Sequence, residues 1–436
     1  EKGTSERWLA ALAGVLGILL ATVLFFPILR GNVYLGSDLG AYHLPVRAFY
    51  SHCLKAGLRF WWWPYQFCGY FIHGEGQAGM LHPFHLLLYR FLPLDWAFNL
   101  EFISGYALAY GGMIGLLRRW SLPWYATFFG ANCFTFSGFF LIHFMHLQAI
   151  TIIGHLPWML LAGDVILKSA GSRTHRGAWV ALALLAASQL LLGYPQYVLF
   201  TLLALGIQVL AHFRAPGAGR RILLLSFALL IGFFIAGVQI VPTFDVLQTA
   251  LRQDNAEAWR SGSMHPLNLL QWFGPYWFEN RLGYGAPAHE YGLYTGMVPA
   301  ILGLWLWCRG GEVGAQRGRS NLLGVLALLA LVLALGEYGG LYGLLAKLPV
   351  IGSFRCSARH IVLIHFALAA LAALAAARLK ETEKDGKRGG LSLCIAVAIG
   401  WAVLALVLVL RALGPVEFRD AFTNDTRLLL AGPLLI

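Results

Sequence analysis

The chain has 436 residues, of which 58% are hydrophobic and only 12% are charged, and its mean hydropathy is +0.66. A soluble domain carries about 25% charged residues, so this composition excludes a soluble globular protein and indicates an integral membrane protein. The formal net charge of +12 at pH 7 could suggest a nucleic-acid partner, but the basic residues lie between apolar runs, as in the cytoplasmic loops of multi-span proteins. We therefore expect no nucleic-acid partner.

Apolar runs recur along the chain at the length of about 17 to 25 residues that a helix needs to cross the hydrocarbon core of a bilayer. We predict an all-α polytopic bundle of about 11 to 12 transmembrane helices that forms one transmembrane domain over residues 1–436. The predicted spans lie near 8–29, 96–117, 122–141, 145–167, 178–193, 196–212, 220–242, 292–308, 321–336, 359–378 and 391–413, and a twelfth begins at Leu428. Because the chain starts without Met and stops inside an apolar run, we expect the natural protein to be longer at both ends.

The segments between the spans alternate in charge along the chain. With a cytoplasmic N-terminus, every inward segment is basic and the outward segments mix both signs, as the positive-inside rule requires. The inward basic residues are Lys2, Arg7, Arg118, Arg119, Lys168, Arg173, Arg176, Arg214, Arg220, Arg221, Arg309, Arg317, Arg319, Arg378, Lys380, Lys384, Lys387 and Arg388. This orientation predicts sizeable outer segments near 30–95, 243–291 and 337–358, where we expect the chemistry to take place.

The first outer segment contains an amphipathic pattern from Pro45 to Leu58. Its apolar residues recur at helical spacing, which predicts a helix that lies flat at the membrane interface. The apolar face comprises Val46, Phe49, Tyr50, Cys53 and Leu54, against Arg47, His52 and Lys55 on the polar side. The run Trp61–Trp63 follows, and tryptophan at this position is typical of a headgroup-level anchor.

Asp38 lies in the short polar turn Gly36–Tyr42, directly after the first span of a chain that has few charges. One interpretation is structural, since an acid before an amphipathic helix resembles an N-cap. The other is functional, because a partly desolvated carboxylate close to a helix N-terminus is well placed to accept a proton from a hydroxyl. The two roles are compatible.

Histidine is concentrated on the predicted outer side, where acidic residues such as Glu75 are also found. Of the fourteen histidines, only His175 and His212 lie in inward loops. Imidazole and carboxylate together suit several divalent ions. The pairs His82/His85 and His143/His146 lack a third ligand at a metal-binding spacing, so we assign no metal site and leave a divalent ion open.

Arg355 and Arg359 lie four residues apart at the outer mouth of the tenth predicted span. We predict that both guanidinium groups lie on one helix face, where they suit a phosphate or pyrophosphate in the outer headgroup layer. The alternative is that they reach toward ordinary lipid phosphates.

Several segments together resemble a known family. In chain order they are GSDLGAYHLP, PYQFCGYFIHGEGQAGMLHPFHLLLY, FSGFFLIHFMHLQAITIIGHLPWML, LLGYPQYVLF, EYGLYTGMVPAILGL and LPVIGSFRCSARHIVLIHFALAALAA. They are similar to segments of the YfhO-like bacterial membrane proteins, which are related to the GT-C glycosyltransferases. The resemblance runs over nearly the whole chain, although each motif by itself is loose.

The resemblance implies a GT-C-like fold in the bacterial inner membrane and transfer of a sugar from a polyprenyl-phosphate donor on the extracytoplasmic side. It implies that Asp38 is the acidic residue of the first outer loop that acts as catalytic base or metal-associated residue. It also implies donor-phosphate binding at Arg355 and Arg359, which have the spacing R-x-x-x-R. The acceptor would be a glycan, a lipid or a protein. Leu39 follows Asp38, so the tandem acid motif of some GT-C branches is absent. We assign the substrate pocket to Tyr42, His43, Glu75, His82, His143, His146 and His360.

Two alternatives remain at this point. The first is a non-catalytic membrane subunit that uses the same fold to hold a partner complex or a lipid, because fold does not dictate function. The second is a transporter, which would need acids or broken helices at mid-membrane, where the sequence offers little besides Asp164.

Overall fold

The computed structural model describes residues 2–168, 173–249, 258–272, 288–308, 316–348, 351–382 and 409. Nine helices in this part of the chain are long and apolar enough to cross a membrane, which confirms a polytopic all-α fold. Helices suit this environment because a backbone in hydrocarbon must satisfy its own hydrogen bonds. The nine segments are Ser5–Leu29, Leu94–Arg119, Trp124–Met145, Leu147–Lys168, His175–Leu192, Pro195–His212, Ala218–Ile235, Arg317–Ala334 and Ser357–Leu379. The predicted spans at 391–413 and from Leu428 lie outside the described residues.

The helices have the following bounds: α1 Lys2–Leu29, α2 Leu44–Ala56, α3 Pro83–Phe91, α4 Leu94–Arg119, α5 Trp124–Thr135, α6 Gly138–Ile142, α7 Leu147–Gly154, α8 Leu156–Lys168, α9 Arg173–Leu192, α10 Pro195–His212, α11 Ala218–Ile235, α12 Gly237–Gln248, α13 Met297–Cys308, α14 Arg317–Ala334, α15 Leu341–Leu345 and α16 Ile361–Thr382. A two-stranded antiparallel sheet pairs β1, Trp62–Trp63, with β2, Tyr70–Phe71.

The chain divides into two compact units. The first comprises Glu1–Gly17, Leu117–Ile142 and Asp254–Ile436. At its centre is α16, which packs against α5, α13 and α14 and is buried from Ile361 to Ala375. Small residues allow this close packing, since a Cβ atom at Gly130 would lie 2.7 Å from Cβ of Ala373.

The second unit comprises Ile18–Leu116 and His143–Gln253. In it α8 packs against α9 and α10, and α9 packs against α11. Here too the helix backbones approach closely at glycine: a Cβ at Gly154 would lie 2.8 Å from the Gly105 carbonyl oxygen, and one at Gly232 would lie 2.6 Å from that of Ala183. This unit carries the complete first inter-span segment.

The predicted span 220–242 is wrong in its last third. Helix α11 ends at Ile235, and a new helix, α12, starts at Gly237. Glycine and proline are both unfavourable in a helix interior, and Pro242 has no N–H to donate to the carbonyl of Val238. Instead, Nε2 of His73 lies 3.0 Å from the Val238 oxygen and supplies the missing hydrogen bond. The first inter-span segment is therefore hydrogen-bonded to the chain directly after the helix break.

The predicted amphipathic helix at Pro45–Leu58 is confirmed as α2, but the polar side assigned to it is wrong at one position. Arg47 is buried, as are Val46, Tyr50 and Cys53. The helix ends at Gly57, which has a left-handed backbone with φ of 69°. The positive charge of Arg47 is compensated inside the unit, because an acidic residue of a spanning helix forms an ion pair with it.

Candidate active site

Asp38 follows an irregular backbone turn. Ser37 has a φ of 52°, and the chain then forms a single π-helical turn, Leu39–His43, in which the Leu44 N–H donates to the Leu39 carbonyl. Gly40 is required because a Cβ there would lie 2.5 Å from the Leu35 carbonyl oxygen. Left-handed non-glycine residues and π-turns both cost free energy and concentrate at functional sites.

The carboxylate of Asp38 lies beside the imidazole of His146, with 3.5 Å between Oδ2 and Nε2. The Asp38 side chain is 53% exposed and that of His146 is 11% exposed. His146 lies directly before α7, so its position is set by the start of a membrane-spanning segment. An accessible carboxylate that is held against an imidazole can accept a proton from a hydroxyl.

Tyr42 and Glu75 form a second polar pair in the same unit. The Tyr42 hydroxyl donates to Oε2 of Glu75 at 2.9 Å, and the backbone N–H of Gln77 donates to the same oxygen at 3.1 Å. Burial, and then the charge of Glu75, raise the pKa of Tyr42 well above its usual value. The hydroxyl therefore stays protonated and acts as a donor.

The loop segment that contains Glu75 contacts two other parts of the same unit. A Cβ at Gly76, which has a φ of 66°, would lie 2.8 Å from the Thr243 side chain of α12. The Tyr194 N–H donates to the Gly76 carbonyl at 2.7 Å. Tyr194 itself has a φ of 57° and its ring lies 6.1 Å from that of His146. Glu75 is thus placed by contacts from two separate parts of the unit.

His43 and His82 are neutral members of this unit. Burial, followed by the charge of Arg47, lowers the pKa of His43 to about 3. Burial lowers the pKa of His82 to about 3 as well. Nε2 of His82 and Nε2 of His155 each lie 2.8 Å from the Ser188 hydroxyl, which bridges them.

His143 is buried, and its ring lies 5.5 Å from that of His146.

Arg47 and Glu101 form a buried ion pair that the sequence reasoning missed. Arg47 donates from Nε to Oε2 of Glu101 at 2.9 Å and from Nη2 to Oε1 at 2.6 Å. It also donates to the Ala78 carbonyl at 2.5 Å, and the Tyr89 hydroxyl donates to Glu101 at 2.5 Å. The signal was present, because Glu101 lies inside the predicted span 96–117, where an acid is costly. Asp164, an acid of the predicted span 145–167, pairs with Lys168 on the same helix.

Arg355, Arg359 and His360 belong to the other compact unit. Arg359 is buried and donates from Nε to Glu290 Oε2 at 2.8 Å and from Nη2 to Oε1 at 2.5 Å. Nδ1 of His360 donates to the Ser357 carbonyl at 2.7 Å.

The prediction that both arginines share one helix face is wrong. Arg355 is exposed and precedes the helical turn that starts at Ser357, and Cys356 between them has a φ of 60°. The left-handed residue interrupts the helix, so the four-residue spacing does not align the two side chains. The role of both arginines at a phosphate stays a prediction.

The chain matches no model of a known protein family, and no curated protein sequence matches it. Its fold resembles that of ArnT from Cupriavidus metallidurans bound to undecaprenyl phosphate, with 17% identity, a TM-score of 0.51 and coverage of 91% of this chain and 64% of that one. The apo state of the same ArnT aligns with 17% identity, a TM-score of 0.47 and coverage of 95% and 66%.

The fold is therefore that of a polytopic all-α membrane protein, and it resembles the fold of ArnT. The chain spans just under two thirds of the length of the ArnT chain bound to undecaprenyl phosphate. At this identity the likeness concerns the fold alone, and the resemblance to the YfhO-like family stays a prediction.

Proposed function

We propose that the chain is a membrane glycosyltransferase of the GT-C type, which takes a sugar from a polyprenyl-phosphate donor and transfers it to an acceptor on the extracytoplasmic side. The observation that carries the proposal is Asp38, an accessible carboxylate against His146, at the end of the first span in a fold that resembles that of ArnT. The polyprenyl phosphate is proposed because the ArnT structure with this fold is bound to undecaprenyl phosphate.

In the proposed reaction the acceptor hydroxyl oxygen attacks the anomeric carbon of the donor sugar. The hydroxyl proton passes to Asp38, the new glycosidic bond forms, and the bond to the lipid phosphate breaks with both electrons leaving on the phosphate oxygen. His146 holds the carboxylate in place beside the acceptor. Glu75 and the Tyr42 hydroxyl are suited to bind sugar hydroxyls, since one accepts and the other donates hydrogen bonds.

The departing phosphate needs a cation, because the charge that develops on it is the main electrostatic demand of the reaction. We assign this role to Arg355, which is exposed, with Arg359 as a supporting residue that Glu290 fixes in position. Replacing Arg355 by Gln should raise the KM for the donor, whereas Arg355→Lys should recover part of the loss.

The test is sugar transfer from a radiolabelled polyprenyl-phosphate sugar in vesicles that contain the purified full chain. We expect Asp38→Asn to reduce the rate at least about a hundredfold, which is the lower range for loss of a general base. Asp95→Asn is the matched control, because Asp95 is an exposed acid of the same predicted outer segment. Full activity of Asp38→Asn would overturn the proposal, and absence of transfer by the unmodified chain would favour the non-catalytic subunit.

A further inference from the structure

Basic residues collect at one end of the first compact unit, where three membrane-spanning segments begin or end. The spanning helix α4 ends with Arg118 and Arg119, and α14 begins with Arg317 and Arg319 in its first turn. Helix α5 begins a few residues after α4, at Trp124. Because the ends of spans mark the boundary of the hydrocarbon core, these residues lie at the level of the lipid headgroups.

Arg118 is exposed, but its guanidinium group is held in place by the chain. Its Cζ lies 4.4 Å from the centroid of the Trp124 ring, and its Nη1 donates to the Leu122 carbonyl. The Trp124 ring in turn stacks on that of Phe128, with 5.5 Å between the centroids and 29° between the planes. Trp124 is nevertheless 49% exposed. Arg118 and the indole therefore form one fixed surface that a ligand can reach.

Arg319 reaches the same loop from α14. Its Cζ lies 5.6 Å from the centroid of the Trp120 ring, and its Nη1 lies 3.5 Å from the Trp120 carbonyl oxygen. Trp120 directly follows α4 and is only 7% exposed. The fold thus brings two guanidinium groups from distant parts of the chain to one loop, and each of them lies over an indole ring. Arg118, Trp120, Trp124 and Arg319 are called the arginine–tryptophan cluster below.

The positive charge at this end is not balanced by the helices that meet there. Neither α5 nor α14 has an acidic residue in its first turn. Within the described residues the contacts of Arg118 go to a carbonyl oxygen and to an indole, and to no carboxylate. The first span starts at the same end, since it crosses in the same direction as the third, but its Glu6 and Arg7 cancel in charge. A bound anion can compensate for the excess.

We propose that the arginine–tryptophan cluster binds the phosphate group of an anionic phospholipid. Guanidinium groups bind phosphate oxygens through paired hydrogen bonds, and indole rings are common at headgroup level. Basic residues between the ends of spanning helices attract anionic headgroups of the cytoplasmic leaflet, which is the side that the charge rule predicts for this end. Phosphatidylcholine carries its own cation and should bind more weakly than phosphatidylglycerol. The inference goes beyond glycosyl transfer and does not depend on it.

The test adds phosphatidylglycerol or phosphatidylcholine with the same acyl chains to the purified full chain in detergent. Intrinsic fluorescence during heating gives the lipid concentration that half-saturates the rise in unfolding temperature, and native mass spectrometry counts the lipids retained by the folded protein. We expect phosphatidylglycerol to act at the lower concentration. Arg118→Gln and Arg319→Gln should each raise its half-saturating concentration about fivefold, which corresponds to about 1 kcal/mol per charge.

Arg214→Gln is the matched control, because Arg214 is an exposed arginine in the turn between the spans α10 and α11 of the other unit. It should respond to phosphatidylglycerol like the parent. Where a variant unfolds at a lower temperature without lipid, lipid retention by its folded fraction in the mass spectrum gives the same comparison.

Four results would overturn the inference. Equal effects of the two lipids would remove the preference for an anion, and an unchanged response of Arg118→Gln and Arg319→Gln would exclude the cluster. An equal loss in Arg214→Gln would show a general response to surface charge. Equal stabilisation by inorganic phosphate without lipid would assign the cluster to a free anion.

Discussion

Arg47 and Glu101 form a buried, bidentate ion pair between α2 and the span α4. The pair joins an extramembrane helix to a membrane-spanning one, and Tyr89 and the Ala78 carbonyl complete its hydrogen bonds. Removing one member of such a pair leaves an uncompensated charge in a low-dielectric interior, which costs roughly 3–5 kcal/mol.

We therefore expect Arg47→Met and Glu101→Met each to lower the unfolding temperature of the protein in detergent markedly. The double variant Arg47→Met/Glu101→Met should recover much of the loss, because apolar pairs often replace buried ion pairs without penalty. Thermal unfolding followed by intrinsic fluorescence measures this. Arg59→Met, at an exposed arginine of the same segment, is the control; additive losses in the double variant would contradict the argument.

A second prediction concerns Gly40. Gly40→Ala forces a Cβ against the Leu35 carbonyl oxygen and should displace the turn that carries Asp38. We expect sugar transfer to fall at least about tenfold, since small misplacements of a catalytic group are costly. Gly206→Ala in α10 is the matched control, because no atom lies within 4 Å of the added methyl group. Equal activity of the two variants would show that the turn tolerates the change.

A third prediction concerns pH. Burial lowers the pKa of His43 to about 3 and that of His85 to about 4, whereas an unfolded histidine titrates near 6.5. Below pH 6.5 the unfolded chain therefore binds protons that the folded chain does not. The stability contributed by these groups is present above pH 6.5 and is lost as the pH falls toward the folded pKa values.

The unfolding temperature should accordingly drop between pH 7 and pH 4.5. His43→Asn should flatten this dependence, and His52→Asn, at an exposed histidine of α2, should not. A pH profile that His43→Asn leaves unchanged would exclude His43 as a contributor.

The fourth prediction concerns the contact between His73 and α12. Pro242→Ala supplies a backbone N–H that can donate to the Val238 carbonyl. That carbonyl then no longer depends on His73 for its hydrogen bond. We expect His73→Phe to destabilise the parent by about 1 kcal/mol and the Pro242→Ala variant by clearly less. A double-mutant cycle on unfolding free energy measures the coupling. A coupling energy of zero would mean that the two groups act independently.

The positions of the nine described spans could be predicted because each span is a local property: a long apolar run must be helical in hydrocarbon. The helix α2 was predictable for the same reason, since its pattern repeats within thirteen residues. The partner of Arg47 was not predictable, because Glu101 is 54 residues away and only the folded chain brings them together.

Local backbone conformation limited the site predictions. A spacing of four residues aligns two side chains only on an uninterrupted helix, and the left-handed Cys356 breaks that assumption for Arg355 and Arg359. Nothing in the letters around Cys356 distinguishes it from a helical residue. Asp38, by contrast, could be singled out from its position alone, and its neighbour His146 could not be paired with it before the fold was known.

The π-helical turn at Leu39–His43 makes the number of residues in this segment as important as their identity. A π-turn contains one residue more than the α-turn it replaces, so deletion of a single residue such as Ala41 would restore a regular helix. Asp38 would then rotate by about 100° relative to α2 and lose its position beside His146. In a comparison of related sequences, a one-residue gap at this point would identify chains that keep the acid but cannot use it in the same way.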